Sequence, residues 1–324
     1  MGILIGVDGG GTHSTAVAVA PDGRVLAVTY GEGLNHHNIG IPTARTRLAG
    51  MIRALRTQCG EPVVLGVCVG MSALDGPADE KTLRQFAVGE LAGFPLDLQS
   101  DAYIALVGFA KGAPGLIVIC GTGSMLLMVD ERRRQYVSGG WGYLLQDAGS
   151  GYTLAREALL AVTAEADGVG PATALTADAL DCFGAKTARG LIDVVYAPSF
   201  TPDRMAGFAR CVLARAEQGE DAAAAQILRG NMERLAAQAA CMMKKAPAVR
   251  RVGLYGGIFN HSAQARSLFA AALTRQCPEA EVCRLDCPPE LGAVIHLLLR
   301  EGEPDAQVLA RMQKTYRGIY HGCH

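Results

Sequence analysis

Near the start of the chain an aspartate is followed by three glycines and a threonine, Asp8-Gly9-Gly10-Gly11-Thr12; a second glycine turn, Gly121-Thr122-Gly123-Ser124, lies in its middle. Glycines let backbone amides approach an anion with no Cβ in the way, and the threonine and serine hydroxyls add donors. Gly10, Gly11 and Thr12 on one turn, and Gly121, Thr122, Gly123 and Ser124 on the other, therefore suit phosphate oxygens. Asp8 cannot bind phosphate, because like charges repel. A carboxylate at the tip of that turn can instead hold Mg²⁺, directly or through water, and so neutralise phosphate charge; the plainer alternative is an aspartate that satisfies turn amides. Asp101 stands between a strand-like run and a helix pattern. It reads either as a helix cap or as a base that accepts the proton of an acceptor hydroxyl during phosphoryl transfer. Gly256 and Gly257 follow an apolar strand and precede a helix, where bare backbone lets a nucleotide's base lie flat; an ordinary strand-to-helix turn is the alternative.

These residues need a scaffold that repeats. Each glycine turn lies between two apolar runs, Gly2–Val7 and Thr15–Ala20 in the first copy, Gly115–Cys120 and Met125–Val129 in the second. Strand, turn, strand is a hairpin rather than a strand-to-helix phosphate loop. The first third predicts strands at Ile3–Val7, Thr15–Ala20 and Val25–Tyr30. A helix follows on Ala44, Leu48, Met51, Ile52 and Leu55, whose spacing is helical. Next come a strand at Val63–Val69, a helix near Asp79–Leu91, a strand at Leu96–Gln99 and a helix from about Ala102. The order then recurs, with strands at Leu116–Ile119, Met125–Val129 and about Gln135–Val137, and a helical insert over roughly Gly151 to Lys245. A strand at Val252–Tyr255, a helix from about His261 to Gln276, a strand at Glu281–Leu285 and a helix at Pro289–Leu299 complete it. Within the insert, alanine-rich Ala222–Lys245 reads as a packed scaffold helix. A duplicated unit of this kind predicts two α/β halves, each a mixed sheet flanked by helices, with a cleft between them. The crossover falls near Ala110–Pro114, where Lys-Gly-Ala-Pro-Gly breaks the helix.

Composition narrows the classes. A chain of 324 residues can bury a large core. Its formal net charge of −1 gives no nucleic-acid footprint. Half of the residues are apolar, yet no run of about 18 uncharged apolar residues occurs, so no membrane span is expected. The chain passes from Met1 straight into a strand with no basic leader, which predicts a cytoplasmic protein without a signal peptide. The ten cysteines form no Cys-x-x-Cys pair and most sit in apolar runs, as small reduced hydrophobes would. Cys277, Cys283 and Cys287, and Cys323 between His321 and His324, come nearest to a metal-binding cluster.

Four stretches together resemble a known family: Asp8-Gly9-Gly10-Gly11-Thr12, Cys120-Gly121-Thr122-Gly123-Ser124, the run from Gly139-Gly140-Trp141-Gly142 through Asp147-Ala148-Gly149-Ser150, and Gly256-Gly257-Ile258-Phe259. In order and spacing they are similar to the sugar kinase, heat-shock chaperone and actin superfamily, and within it to the N-acetylglucosamine kinase-like branch of the BadF/BadG/BcrA/BcrD ATPase family. The resemblance covers essentially the whole chain. It implies two duplicated ribonuclease H-like (actin-like ATPase) domains with an interdomain cleft: 1–112 on the sugar and phosphate side, 113–288 with the helical insert on the nucleotide side, and 289–324 as C-terminal helices, the first crossing back to the N-terminal domain. Glu290-Leu291-Gly292-Ala293-Val294 looks like the family's interdomain hinge helix, and domain closure follows by analogy. The implied activity is ATP-dependent phosphorylation of an amino sugar at C6, with Asp101 as general base, Asp8 for Mg²⁺ and Gly256 and Gly257 on the adenosine. Asn35, His36, Ser72, Asp101, Gly140, Trp141 and Asp147 would contact the sugar, Trp141 by stacking on a pyranose face or by walling the N-acetyl pocket. Plain packing of Trp141 beneath its loop is the competing reading. The branch commonly dimerises, so a homodimer is expected, with an amino sugar and ATP as the small-molecule partners.

Two departures bear on this. The branch often reads Gly-Asp-Glu-Gly-Ser where this chain has Gln146-Asp147-Ala148-Gly149-Ser150, which adds bulk and removes a carboxylate; glucosamine or N-acetylmuramic acid then joins N-acetylglucosamine as candidate substrate. Cys120 replaces a more usual small residue, with little effect expected. Two readings from other classes compete. A dehydratase-activator ATPase needs paired cysteines at a dimer face, but Cys120 and Cys182 lie far apart in non-matching contexts. A non-catalytic sugar sensor would not need the intact Asp8 and Asp101.

Overall fold

The computed structural model describes residues 2–145 and 147–320. Two compact units emerge, Met1–Ala113 with Leu285–His324, and Pro114–Arg284. Each carries a five-stranded mixed α/β sheet, and the two sheets have the same strand order.

In the first unit the strands are β1 (Gly2–Gly9), β2 (His13–Val19), β3 (Val25–Glu32), β4 (Val63–Met71) and β5 (Leu96–Ser100), in the order β3-β2-β1-β4-β5. β1 pairs antiparallel with β2 and parallel with β4, and β4 pairs parallel with β5. Between them run α1 (His36–Ile39), α2 (Ile41–Gln58), α3 (Glu80–Phe86) and α4 (Asp101–Ala110). Side chains alternate across a strand, and β1 shows it. Ile3, Ile5 and Val7 pack with Leu48, Ile52 and Leu55 of α2, while Leu4 packs on the opposite face. Asp8 shares the parity of Leu4 and Gly6 and so looks to that opposite face.

The second unit carries β6 (Gly115–Cys120), β7 (Ser124–Val129), β8 (Gln135–Gly139), β9 (Arg251–Tyr255) and β10 (Glu281–Arg284), in the order β10-β9-β6-β7-β8. The predicted helical insert resolves into α5 (Gly151–Ala166), α6 (Leu175–Phe183), α7 (Leu191–Val195), α8 (Pro202–Gly207), α9 (Ala209–Gln218) and α10 (Ala222–Met243). α10 buries Leu228, Met232, Leu235 and Ala239 in a core shared with Leu116, Val118, Leu126 and Met128 of the sheet. Beyond β9, the helix expected over about 261–276 is α12 (Ala263–Gln276), and a short α11 (Gly257–His261) precedes it. The break is at Ser262, whose hydroxyl accepts from the Ala265 amide and starts α12.

The chain then returns to the first unit as α13 (Pro289–Glu301) and α14 (Ala306–Tyr320). Leu291, Val294 and Ile295 of α13, with Met312 and Tyr316 of α14, cover Val17, Val19 and Val25 on the face that Asp8 shares. Small residues set how closely α13 approaches. A Cβ at Gly6 would lie 2.0 Å from the Glu290 carbonyl oxygen, and one at Gly292 would lie 1.9 Å from that of Ile104. Among the described residues no helix is long and apolar enough to cross a membrane.

Candidate active site

In the first unit the candidate residues gather at the carboxyl ends of β1, β4 and β5, the end of an open α/β sheet where ligands bind. β1 extends through Gly9, so Asp8 is a strand residue paired with Thr15, and the turn proper is Gly10–Thr12. A clamp holds that turn. The Gly33 amide donates to the Thr12 carbonyl (2.9 Å), the Leu34 amide to the Gly10 carbonyl (3.0 Å), and a Cβ at Gly33 would stand 2.2 Å from the Gly11 oxygen. The segment after the clamp carries Asn35, which caps α1 by accepting from the His37 amide (3.1 Å) and donates from Nδ2 to Ser72 Oγ (3.3 Å). The Ser72 amide in turn donates to the Gly9 carbonyl (3.1 Å), and His37 Nε2 meets the Ala73 carbonyl oxygen (3.0 Å). Asn35 and Ser72 are thus tied to the same turn, and His36 follows Asn35 as the first residue of α1. Burial and neighbouring His37 lower the His36 pKa, and its buried Nδ1 has no hydrogen-bond partner among the described residues.

Asp101 opens α4 but is not its cap. Ser100 takes that place, its hydroxyl accepting from the Tyr103 amide (3.2 Å), and Asp101 is the first helical residue. The cap reading of Asp101 is therefore displaced by one position. Its Oδ1 accepts from the Ala102 amide (2.7 Å). Close approach at Gly70 makes room for it: a Cβ there would lie 2.2 Å from Ile104 Cδ1 and 3.2 Å from Asp101 Cα. Burial raises the Asp101 pKa, the Ala102 amide and its own pull it back, and Asp75 raises it further. Asp8 is lifted to about 7, first by burial, then by the charges of Glu290 and Asp101. Glu290 is only 4 % exposed, accepts from the Tyr316 hydroxyl, and is itself raised by burial. Among the described residues no three such side chains are placed to share a metal ion, but Asp8 feels the charges of Glu290 and Asp101, a hard-oxygen setting. Mg²⁺ fits such a setting, since it is held by one or two carboxylates together with substrate phosphates.

In the second unit the turn is Gly121–Gly123, and Ser124 opens β7. The Gly151 amide donates to the Gly121 carbonyl (2.8 Å) and the Tyr152 amide to that of Thr122 (3.2 Å), so the start of α5 braces the turn. The Ser124 hydroxyl is turned inward, donating to the Ala148 carbonyl (2.7 Å). The Thr122 hydroxyl donates to Asp203 Oδ1 at 2.8 Å. Gly256, with φ of +100°, packs its Cα side so tightly on the Cys120 carbonyl that a Cβ would lie 2.3 Å from the oxygen. Gly121, Thr122 and Gly257 line a cavity of about 600 Å³. Its remaining wall includes Asp203, Arg210 and Glu217 from α8 and α9, with His261 from α11.

The expected sugar-binding set is divided between the units. Asn35, His36, Ser72 and Asp101 belong to the first unit; Gly140, Trp141 and Asp147 belong to the second, beside its glycine turn. The Gly140 amide donates to the Ser124 carbonyl (2.9 Å), and a Cβ at Gly123 would stand 2.9 Å from Asp147 Oδ2. Asp147 is 4 % exposed, and its Oδ1 has no hydrogen-bond partner among the described residues. Burial raises its pKa against the pull of the Gly142, Ser124 and Trp141 amides. Trp141 is 70 % exposed and does not pack beneath its loop. The Ala148 side chain is buried, whereas Gln146 lies outside the described residues, as do Cys323, His321 and His324.

Sequence reasoning missed Asp203, Arg210, Glu217 and Glu290. The first three recur seven residues apart, but Asp203 lies on α8 and Arg210 and Glu217 on α9, so their place on one wall with Thr122 is a tertiary fact.

Known proteins are similar to the chain over most of its length. A curated N-acetyl-D-glucosamine kinase from Dictyostelium discoideum is 28% identical over 316 residues, spanning 90% of this chain and 97% of the relative. An N-acetylmuramic acid/N-acetylglucosamine kinase from Clostridium acetobutylicum is 25% identical over 302 residues, spanning 91% and 98%. A crystal structure from Chromobacterium violaceum, described provisionally as an N-acetylglucosamine kinase, superposes with a TM-score of 0.70 at 28% identity, covering 91% of this chain and 98% of the other. The family model for BadF/BadG/BcrA/BcrD ATPases matches residues 5–286, and the chain belongs to the BadF/BadG/BcrA/BcrD ATPase family.

Proposed function

We propose that the chain is an ATP-dependent amino-sugar kinase that phosphorylates the C6 hydroxyl of N-acetylglucosamine. The observation that carries this reading is the assembly in the first unit. A half-buried Asp101 with a raised pKa stands at the end of the same sheet as the clamped glycine turn, with Asn35 and Ser72 tied to that turn. A base, a phosphate cradle and hydroxyl-binding groups at one sheet end are what an alcohol-accepting phosphotransferase requires. The relatives named for N-acetylglucosamine support the substrate class.

In this reading the sugar's O6 attacks the γ-phosphorus. The O6–P bond forms as the bond from phosphorus to the β,γ-bridging oxygen breaks, ADP departs, and the O6 proton passes to the Asp101 carboxylate. Mg²⁺ bound at Asp8 supplies charge neutralisation to the phosphate oxygens. Amides of Gly10–Thr12 and of Gly121–Gly123 orient those oxygens, and the cavity at Gly257 takes the nucleoside. Asn35 and Ser72 exchange hydrogen bonds with sugar hydroxyls and Asp147 Oδ1 accepts from one, each group left unpaired at a cost of about 1–3 kcal/mol. The carboxylates of Asp8, Asp75, Asp101 and Glu290 on one unit favour a neutral or cationic sugar over one that bears its own carboxylate.

ADP release from Mg-ATP is to be measured with N-acetylglucosamine, glucosamine, N-acetylmannosamine, N-acetylmuramic acid and glucose, for the wild type and Asp101→Asn. Turnover is expected with N-acetylglucosamine, reduced in the variant by about 10²–10⁴-fold. Turnover with none of the sugars, or turnover indifferent to Asp101→Asn, would refute the proposal.

A further inference from the structure

The cavity at the second glycine turn has an unexpected charge. Asp203 lines it, and its Oδ1 accepts from the hydroxyl of Thr122, the central residue of the turn, at 2.8 Å. A cavity read as the nucleotide's thus carries a carboxylate against the glycine turn that would receive the phosphates. The cation on the same wall, Arg210, stands on the next helix, α9, with its Nε given to the Gly207 carbonyl (3.1 Å). His261 of α11 and Glu217 at the end of α9 are the other ionisable groups on this wall. The Thr122–Asp203 bond also commits the threonine's proton. While it holds, Thr122 presents lone pairs to the cavity and cannot donate to a bare phosphate oxygen.

Both features disfavour naked phosphate and favour phosphate whose charge is masked. A divalent cation on the phosphates reduces their repulsion by Asp203, and the water molecules that it carries are donors for the carboxylate and for the Thr122 lone pairs. We infer that Asp203 is a specificity determinant that makes this cavity take the nucleotide as its divalent-metal complex and reject the metal-free form. The inference rests on the nucleotide reading of the cavity given above and assigns to Asp203 a role that neither the glycine turn nor Asp8 supplies.

The test is equilibrium binding of ATP to the full chain by calorimetry, with excess Mg²⁺ and separately with EDTA, for the wild type, Asp203→Asn and Thr122→Val. Asn at 203 keeps an acceptor for Thr122 and removes only the charge. The ratio of the metal-free Kd to the Mg²⁺-complex Kd should fall about fivefold in Asp203→Asn, the size of one unit charge at about 4 Å in water. The change should come from tighter metal-free binding. Thr122→Val keeps the carboxylate and removes only the hydroxyl's lone pairs, so the ratio should fall less than in Asp203→Asn. Asp8's preference for the metal complex is common to all three proteins and cancels. An unchanged ratio in Asp203→Asn overturns the inference, because a residue that merely props the turn would weaken both forms alike. ATP bound by the wild type in neither form overturns the nucleotide reading and this inference with it.

Discussion

Asp8→Asn should make the apoprotein more stable as the pH rises through neutrality, the reverse of what loss of a site residue would ordinarily do. The carboxyl ionises near the ordinary value of 3.8 when the chain is unfolded and at about 7 when it is folded, because burial and the charges of Glu290 and Asp101 oppose its ionisation. Below 3.8 both states hold the proton and above 7 neither does, so between these limits the folded state binds more protons and stability falls as pH rises. A tenfold difference in proton affinity is worth about 1.4 kcal/mol, so the roughly thousandfold difference between the two states sets a ceiling of about 4 kcal/mol. Water access and relaxation at a half-buried group bring the expected contribution to about 1–2 kcal/mol. Asparagine carries no charge at any of these pH values. The assay is urea denaturation in EDTA between pH 5 and pH 8, followed by circular dichroism, wild type against variant. The stability of Asp8→Asn relative to wild type should rise by about 1–2 kcal/mol across that range. Added Mg²⁺ should recover stability in the wild type at the alkaline end and do little for the variant. Parallel pH curves for the two proteins would refute the idea that Asp8 is held against its charge.

Gly70→Ala should cost about 1–3 kcal/mol and lower kcat more than it raises KM, because its Cβ meets Ile104 Cδ1 at 2.2 Å and presses on Asp101 Cα; chemical denaturation with steady-state kinetics checks both. Gly256→Ala places a Cβ 2.3 Å from the Cys120 oxygen at a φ of +100°, so ATP affinity measured by calorimetry should drop at least tenfold while sugar affinity holds. Tyr316→Phe strips buried Glu290 of its hydroxyl donor, and thermal denaturation should show a loss of about 1–3 kcal/mol at pH 8 that shrinks towards pH 5 as Glu290 takes up a proton.

Much of the fold was legible because local and global signals agree. The recurrence of strand, glycine turn and strand announces the duplicated sheets, and alternation in β1 and β2 sorts Ile3, Ile5 and Val7 from Leu4 and Val17 before any tertiary contact is known. Strand ends were less legible. Asp8, Gly9 and Ser124 look like turn residues by type, yet each completes a ladder with its partner strand. α14 was expected only through the resemblance, as one of the helices over 289–324: Leu309, Met312, Tyr316 and Ile319 have helical spacing but stand among charged residues, and only their packing on Val25 and neighbours makes them a core face. In the candidate site, types and spacing point to Asp8, Asp101 and the glycine turns. They do not reveal that Glu290, near the other end of the chain, faces Asp8, or that Asp203 holds Thr122, since both depend on sheet parity and helix register.

The first unit is sewn from both ends of the chain, and this imposes an order on synthesis. Polypeptide leaves the ribosome N-terminus first at about 5–20 residues per second. β1 to β5 therefore emerge long before α13 and α14, and the whole of Pro114–Arg284 is released in between. Until the last helices appear, Val17, Val19 and Val25 have no cover from Leu291, Val294, Met312 and Tyr316. The nascent chain thus passes through a stage in which the second unit can finish while the first displays a bare apolar sheet face, a natural target for chaperones. A chain cut short after β10 would stay in that state, and it should be recovered from cells as aggregate rather than as a smaller working enzyme.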